Sequence, residues 1–267
     1  MLEWIRTRLI EPELRNVDVD STEFTLRNLK VLKRKKILRE LFESFYQELD
    51  FIDKAYFSQA SGRCLEIGSG SSLIKETYPD VITSDIKKLP HVDKVFSALK
   101  MPFSDNYLRS IYGINVFHHL RDPRGFFKEA SRVLRPGGGM ILIEPYYGPF
   151  ATVLLKHLHS SEGFDPYYPT WETHESTGPL SNANQALSYI VFKREVQRFN
   201  DEFPEFEILL DKPHTHIWYL LSGGVNFRQL VPDYMTRFIR NIEKVLTPLN
   251  PWLAILHTIV IRKRKPN

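Results

Sequence analysis

The sequence predicts an α/β fold with a doubly wound parallel sheet. Two observations carry this. From residue 62 onward, short apolar runs alternate with stretches of helical periodicity, the pattern of βαβ units. The first of those runs, RCLEIG at 63–68, passes directly into a glycine and serine turn, and SLIKETY then reads as a helix start. Composition agrees. Of 267 residues, 42% are hydrophobic and 25% charged, a globular balance rather than a disordered one. The 13 Gly and 17 Pro follow no period, which excludes a collagen-like chain.

The elements follow in order. Residues 1–61 read as a helical extension. Ser21 and Thr22 give a start signal, and Leu26, Leu29, Leu32, Leu38, Leu41, Phe42, Phe45 and Leu49 give helical spacing. The run KRKK at 33–36 reads as a solvated helix face. VITSD (81–85) is the second strand and SIYGINVF (110–117) another. GFFKEASRVL (125–134) is an amphipathic helix that RPGGG (135–139) ends, and MILIEP (140–145) is again a strand. Residues 146–190 read as a helix followed by irregular, aromatic chain, the texture of a binding cover. Helical texture returns at 183–202. FEILLDK (206–212) is a strand, 227–245 a helix, and 252–263 the last strand, containing the longest apolar run, WLAILHTIVI. The expected organisation is one domain over 1–267: extension 1–61, ligand-binding core 62–145, cap 146–190, and a sheet-completing part 191–267.

Several classes are disfavoured. The net charge of +4 and the pI near 9.0 are weak grounds for a nucleic-acid partner. One cysteine, Cys64, makes no internal disulfide and no cysteine zinc site, so a reducing, cytoplasmic setting is expected. The start, MLEWIRTRLIEPELR, becomes charged too early for a secretion signal, and no stretch reaches about 18 apolar residues. Leu2, Trp4, Ile5, Leu9 and Ile10 with Arg6 and Arg8 leave a peripheral membrane contact open, against the plainer docked helix.

The chemistry concentrates in LEIGSGSS (65–72). Gly68 and Gly70 let the chain turn tightly and approach a ligand closely. The following helix would point its amino end at an anionic group. Glu66, at the end of the first strand, offers a carboxylate to the amides of the turn or to a ligand ammonium. Asp85 closes the second strand, where a carboxylate either takes the two hydroxyls of a ribose or caps a helix.

With ITSD, KMPFSDNYLRSIYGINVFHHL and RVLRPGGGMILIEP following in that order, the chain resembles the class I S-adenosylmethionine-dependent methyltransferases of the type 11 group. The resemblance covers about residues 62–145. It implies a Rossmann-like seven-stranded sheet whose last strand is antiparallel, with S-adenosylmethionine as cofactor. By the same resemblance, Glu66, Gly68, Ser69 and Gly70 would hold the methionine part. Asp85 would bind the ribose, Ile86, Ala98 and Leu99 would pack on the adenine, and Asn115 would lie near the methionine moiety. Two positions depart from the pattern. Ser72 stands at the third glycine position, and Ser97 stands where many relatives carry Asp; Asp93 is too far upstream to take that part.

Methyl transfer to a hydroxyl needs a base, whereas a neutral amine does not. His118 is the candidate catalytic residue and would face the acceptor. The expected acceptor-binding residues are His119, Glu144, Tyr146, Tyr147 and His174, with Glu175 a further candidate in the cap. Tyr167, Tyr168 and Trp171 supply broad faces to that cap, and His157 and His159 groups that titrate near neutrality. The expected acceptor is a small molecule, a glycan or a lipid-linked intermediate, with methylation at O or N. No metal site is assigned, although His214 and His216 alternate at a strand end. Two rivals stand beside this reading. One is a non-catalytic methyltransferase-like binding module. The other is a nicotinamide-dependent oxidoreductase, for which the turn lacks its third glycine; Tyr189 and Lys193 imitate a catalytic pair at a spacing that chance supplies.

Overall fold

The computed structural model describes residues 8–157, 162–173, 178, 180 and 183–266. Seven strands form one sheet in the order β3-β2-β1-β4-β5-β7-β6. They are β1 (Arg63–Ile67), β2 (Ile82–Asp85), β3 (Lys94–Val95), β4 (Leu108–Ile114), β5 (Leu134–Pro145), β6 (Phe206–His214) and β7 (Leu256–Lys263). Strands β3 to β5 pair in parallel, and β7 lies antiparallel to both β5 and β6. FEILLDK and the later part of WLAILHTIVI therefore finish the sheet as an antiparallel pair, as expected.

The central strands read as continuous apolar runs because both faces of the sheet are covered. On β4 and β5, Ile111, Met140 and Leu142 enter one core, while Tyr112, Ile141 and Ile143 enter the other. This is the period-two alternation of a strand. Helices α1 (Thr22–Arg34) and α2 (Lys36–Phe57) cover one face through Leu41, Phe45, Tyr46 and Leu49. Ser21 caps α1, its hydroxyl accepting from the Phe24 amide at 3.0 Å, as its place at the start signal predicts. Helix α3 (Pro123–Val133) covers the other face with Phe126, Phe127, Ala130 and Val133. Helix α4 (Pro149–His157) follows β5, and helix α5 (Thr236–Val245) lies between β6 and β7. No helix among the described residues is long and apolar enough to cross a membrane.

Several local expectations are corrected. The helix after the glycine turn is a single turn, Ile74–Thr77, too short for an N-terminal dipole to matter. RPGGG does not end before the fifth strand. It belongs to β5, and residues 135–138 loop out between the pairs Leu108↔Leu134 and Ser110↔Gly139. The helix expected over 227–245 spans only Thr236–Val245; Pro232 lacks an amide and restrains the residue before it. Residues Asn250–Leu253 form a helical turn opened by Pro251, so the last strand begins at Leu256 rather than at Trp252. Ile217–Ser222 is a helix that the sequence reading did not distinguish.

Lys35, within the run read as solvated, is buried at the break between α1 and α2. Its Nζ lies 2.8 Å from Glu11 Oε1 and donates to the carbonyls of Gly224 and Phe227. An ammonium buried at this depth needs such partners. Burial lowers the Lys35 pKa, with Glu11 opposing the shift. The cation thereby pins the loop 223–228 to the helical extension.

Candidate active site

A cavity of about 810 Å³ opens at the carboxyl ends of β1, β2, β4 and β5. That is where open α/β sheets bind ligands. Its size lies in the upper part of the ~300–1,000 Å³ range of ligand clefts, room for two molecules side by side.

One end is built by the glycine turn. Gly68 has φ +65°, a left-handed conformation that favours glycine, and an added Cβ would meet Val116 Cγ2 at 2.4 Å. At Gly70 an added Cβ would stand 2.9 Å from Thr25 Cγ2 and 3.2 Å from Asp85 Oδ2. Glycine there keeps the floor between Asp85 and α1 open. Glu66 is buried at the end of β1 and lines the cavity. Its Oε1 accepts from the Ser72 hydroxyl at 2.8 Å, while Oε2 has no hydrogen-bond partner among the described residues. Burial pushes its pKa up to about 7, against the hydroxyls of Ser69 and Ser72. A buried carboxylate oxygen without a donor suits an ammonium group. Asp85 also lines the cavity. Its Oδ1 accepts from the Lys87 amide at 2.7 Å, so this carboxylate braces its own turn as well as facing the cleft. Burial raises its pKa. Ile86, Ala98, Leu99 and Asn115 line the same space. Ser69 does not. Its hydroxyl donates to Glu66 O and accepts from the Ser84 amide, lashing the turn to β2. Asp93 lies apart, paired with Lys75 and bonded to the Thr83 amide.

The other end is built on Glu144, at the end of β5. Its Oε1 accepts from the amides of Val116 and Phe117 at 2.9 and 2.8 Å. Its Oε2 lies 2.6 Å from His118 Nδ1. These bonds end β4 at Ile114 and curl residues 117–119 into a tight turn, so the strand read over 110–117 stops early. Asn115 takes φ +50° at that corner. His118 and His119 both line the cavity, with ring centroids 4.2 Å apart. Glu162, from the segment after α4, reaches His118 Nε2 at 3.3 Å. Burial opposes charge on His118, but Glu144 and Glu162 outweigh it and push its pKa up to about 10. Burial would raise Glu144, yet His118 and the amides of 116 and 117 hold it below the usual carboxylate range. His118, His119 and Glu162 offer ligand atoms within 4.8 Å of one another, a set that could hold a divalent cation.

Three acceptor expectations need revision. Glu144 is fully buried and does not line the cavity, because its oxygens are taken by amides and an imidazole. Tyr146 and Tyr147 do not line it either. Tyr146 packs on His257, and Tyr147 on Tyr189 and Phe164. His174 lies outside the described residues, as do Glu175, His159 and, in the helical extension, Leu2, Trp4, Ile5 and Arg6. Nor does Trp171 serve the cap. It is fully buried beside Phe127, with the Arg124 guanidinium 4.2 Å above its ring. Of the described residues of 146–190, those lining the cavity are Leu154, Leu155, Glu162, Leu180 and Gln185, together with Pro145 just before them.

The rest of the cover was not legible in the sequence. Phe24, Thr25 and Asn28 of α1, and residues 223–228, close the cavity from segments about 200 residues apart. His214 bonds to Thr215 and Thr258, while His216 Nε2 bonds to Asn250 and its Nδ1 lies 3.6 Å from Glu243. Tyr189 and Lys193 are absent from the cavity lining; Lys193 pairs with Asp211.

Comparison with known proteins accords with this geometry. Residues 65–142 match the family model described as a methyltransferase domain. Demethylmenaquinone methyltransferase of Renibacterium salmoninarum is 26% identical over 113 residues, 36% of this chain and 48% of that protein. Cycloartenol-C-24-methyltransferase 1 of Oryza sativa subsp. japonica is 51% identical over 39 residues, 15% of this chain and 11% of that protein. The chain thus spans about half the length of the first of these relatives and much less of the second. Among solved structures, geranyl diphosphate C-methyltransferase from Streptomyces coelicolor A3(2) is similar with a TM-score of 0.50 at 14% identity, covering 97% of this chain and 90% of that one. Residues 65–142 thus match a methyltransferase domain, on a sheet with the strand order of the Rossmann-like methyltransferases; over this segment the chain is similar to the class I enzymes of the type 11 group, whose cofactor is S-adenosylmethionine.

The unpartnered Glu66 oxygen and the open floor at Gly70 fit that cofactor. Its affinity should then depend on pH. A carboxylate with pKa near 7 must lose its proton to hold an ammonium, so binding weakens as pH falls below that value. Titration calorimetry of S-adenosylhomocysteine should give markedly weaker binding near about pH 6 than near about pH 8. Glu66→Gln should remove the difference; an unchanged pH dependence in that variant would refute the assignment.

Proposed function

We propose that this chain methylates an apolar, lipid-like acceptor at a hydroxyl oxygen. The observation that carries this is the composition of the acceptor end. Leu154, Leu155, Leu180, Leu220, Val225 and Phe227 line the same cavity as the polar cluster of His118, His119 and Glu162. These apolar residues suit an apolar acceptor better than a glycan, whose many hydroxyls would each need a polar partner.

S-adenosylmethionine supplies an electrophilic methyl group carried on a sulfonium. Glu66, Gly68, Gly70 and Asp85 would hold it, with Ile86, Ala98 and Leu99 against its base and Asn115 at the corner toward the acceptor. The acceptor hydroxyl would form its new O–C bond as the methyl–sulfonium bond breaks, leaving S-adenosylhomocysteine, and its proton would pass to His118 Nε2. Glu144 keeps the Nδ1 proton in place and stabilises the imidazolium that results. Glu162 occupies Nε2 in this structure, so an acceptor hydroxyl takes its position. The apolar walls exclude water, which suits a reaction that disperses charge. The same proton transfer serves a second reading, methylation of a ring carbon whose neighbouring hydroxyl gives up its proton. The name of the demethylmenaquinone methyltransferase similar to this chain favours that reading. The free, buried thiol of Cys64 supports a cytoplasmic setting.

The test is incubation with labelled S-adenosylmethionine and a panel of hydroxylated isoprenoid lipids, quinols and sugars, read by mass spectrometry. A methylated lipid or quinol is the expected product; methylation of sugars alone would overturn the reading. The pH profile gives a finer test. A base must be deprotonated, so with His118 pushed up to about 10 the rate should climb with pH well above neutrality. Glu162→Gln removes one of the carboxylates that raise it, and the inflection of kcat/KM should move down in pH. An unmoved inflection would remove His118 from the proton transfer.

A further inference from the structure

Residues 230–252 form an outer face on the segment that closes the cavity. Leu230 lines the cavity and is also exposed. Beyond it, Tyr234, Phe238, Val245, Leu249 and Trp252 are all exposed, at spacings of four, seven, four and three residues. Phe238 and Val245, seven residues apart, share one side of α5, and Tyr234, Leu249 and Trp252 lie in the helical turns that flank it, Asp233–Met235, Thr247–Leu249 and Asn250–Leu253. Tyr234 is 84% exposed, Val245 77%, Phe238 59% and Trp252 57%. The opposite side of α5 is committed inward. Thr236 and Ile239 are buried, and Glu243 accepts from the Trp218 amide at 2.8 Å. Large apolar groups exposed in a row, two of them aromatic with polar tips, need a partner.

The charges beside the stripe say which partner. Arg237, Arg240 and Lys244 are exposed along α5, whereas Asp233 is the exposed acid of that stretch. Arg240 lies 5.1 Å over the Trp218 ring, which holds its guanidinium near the surface of the fold. Aromatic and aliphatic anchors flanked by basic residues are the composition of a helix lying in a lipid interface. The face also continues into the cavity wall. Asn250–Leu253 packs on α4, whose Leu154 and Leu155 line the cavity while Val153 and Lys156 are exposed.

We propose that this face rests on an anionic membrane surface, setting the mouth of the cavity at Leu230 against the lipid. Tyr234, Phe238, Val245, Leu249 and Trp252 enter the headgroup region, and Arg237, Arg240 and Lys244 meet lipid phosphates. An apolar acceptor then passes from bilayer to cavity without crossing water. The docking itself does not depend on the acceptor assigned above, and it is read without any methyl transfer.

The experiment is flotation of the full chain with vesicles of phosphatidylcholine alone or of an equal mixture of phosphatidylcholine and phosphatidylglycerol. Binding to the mixed vesicles that weakens with added salt is expected. Replacing both Arg237 and Lys244 by Gln should lower partitioning roughly 30-fold, at about one kcal/mol for each basic residue near an anionic surface. The double variant Phe238→Ser, Trp252→Ser should abolish flotation. Both variants should retain S-adenosylhomocysteine binding, which shows that they fold. No flotation of the unaltered chain would overturn the proposal. So would a dimer in light scattering that the Phe238→Ser, Trp252→Ser variant dissolves, with no vesicle binding, because the face would then belong to a second copy. At matched ionic strength, inorganic phosphate should weaken vesicle binding no more than chloride does; full competition by phosphate alone would overturn the proposal in favour of an anion site.

Discussion

Glu144→Gln should lower kcat by roughly 10²–10⁴ while leaving S-adenosylhomocysteine affinity within a few-fold of the original. Glu144 does two things at once. Its Oε1 holds the amides of Val116 and Phe117, and its Oε2 holds His118 Nδ1. Glutamine keeps a carbonyl oxygen for the two amides, so the turn after β4 survives. Its amide nitrogen cannot accept from Nδ1–H, so the imidazole changes tautomer or turns away, and Nε2 is no longer poised to take a proton. Glu144→Ala would not separate these roles. It strips partners from buried amides and from a buried imidazole, which destabilises by several kcal/mol. Single-turnover kinetics beside thermal melting makes the distinction. A Gln variant of full activity would show that the dyad only shapes the turn.

Asp85→Ala should weaken cofactor binding about tenfold or more, with little loss of folding stability. Hydrogen bonds to a charged group contribute roughly 1.5–3 kcal/mol, which is tenfold to over a hundredfold in affinity. Folding is largely spared because burial already disfavours the charged form of Asp85, and its bonds go to the backbone amides of the adjoining turns at Lys87 and Gly70. Calorimetry with S-adenosylhomocysteine measures the loss; undiminished affinity would mean that Asp85 serves its own turn and not a ribose.

The two ends of the cavity differ in how far the sequence disclosed them. Glu66, Gly68, Gly70 and Asp85 were legible because each sits at a strand end that a short apolar run announces. Local chain geometry brings them together. Glu144 was found as a residue but given the wrong surroundings. Nothing within 140–145 says that its carboxylate is consumed by amides of residues 116–118, a contact made only once β4 and β5 pair. Glu162 and the loop 223–228 were missed for the same reason: their approach is set by tertiary packing, and Lys35 secures that loop from within a run that looked solvated. Trp171 failed in the opposite sense. An aromatic residue in irregular chain suggested recognition, yet it fills the core beside Phe127. Ile217–Ser222 escaped because a short apolar run carries no periodicity that separates helix from strand.

The pocket between Glu66, Gly70 and Asp85 should take S-adenosylmethionine and not a dinucleotide. Titration calorimetry of the purified chain with S-adenosylhomocysteine, S-adenosylmethionine and NAD tests it directly. Saturable one-to-one binding of the first two, stronger above neutral pH, and none of NAD is expected. Binding of NAD with no response to either of the others would contradict it.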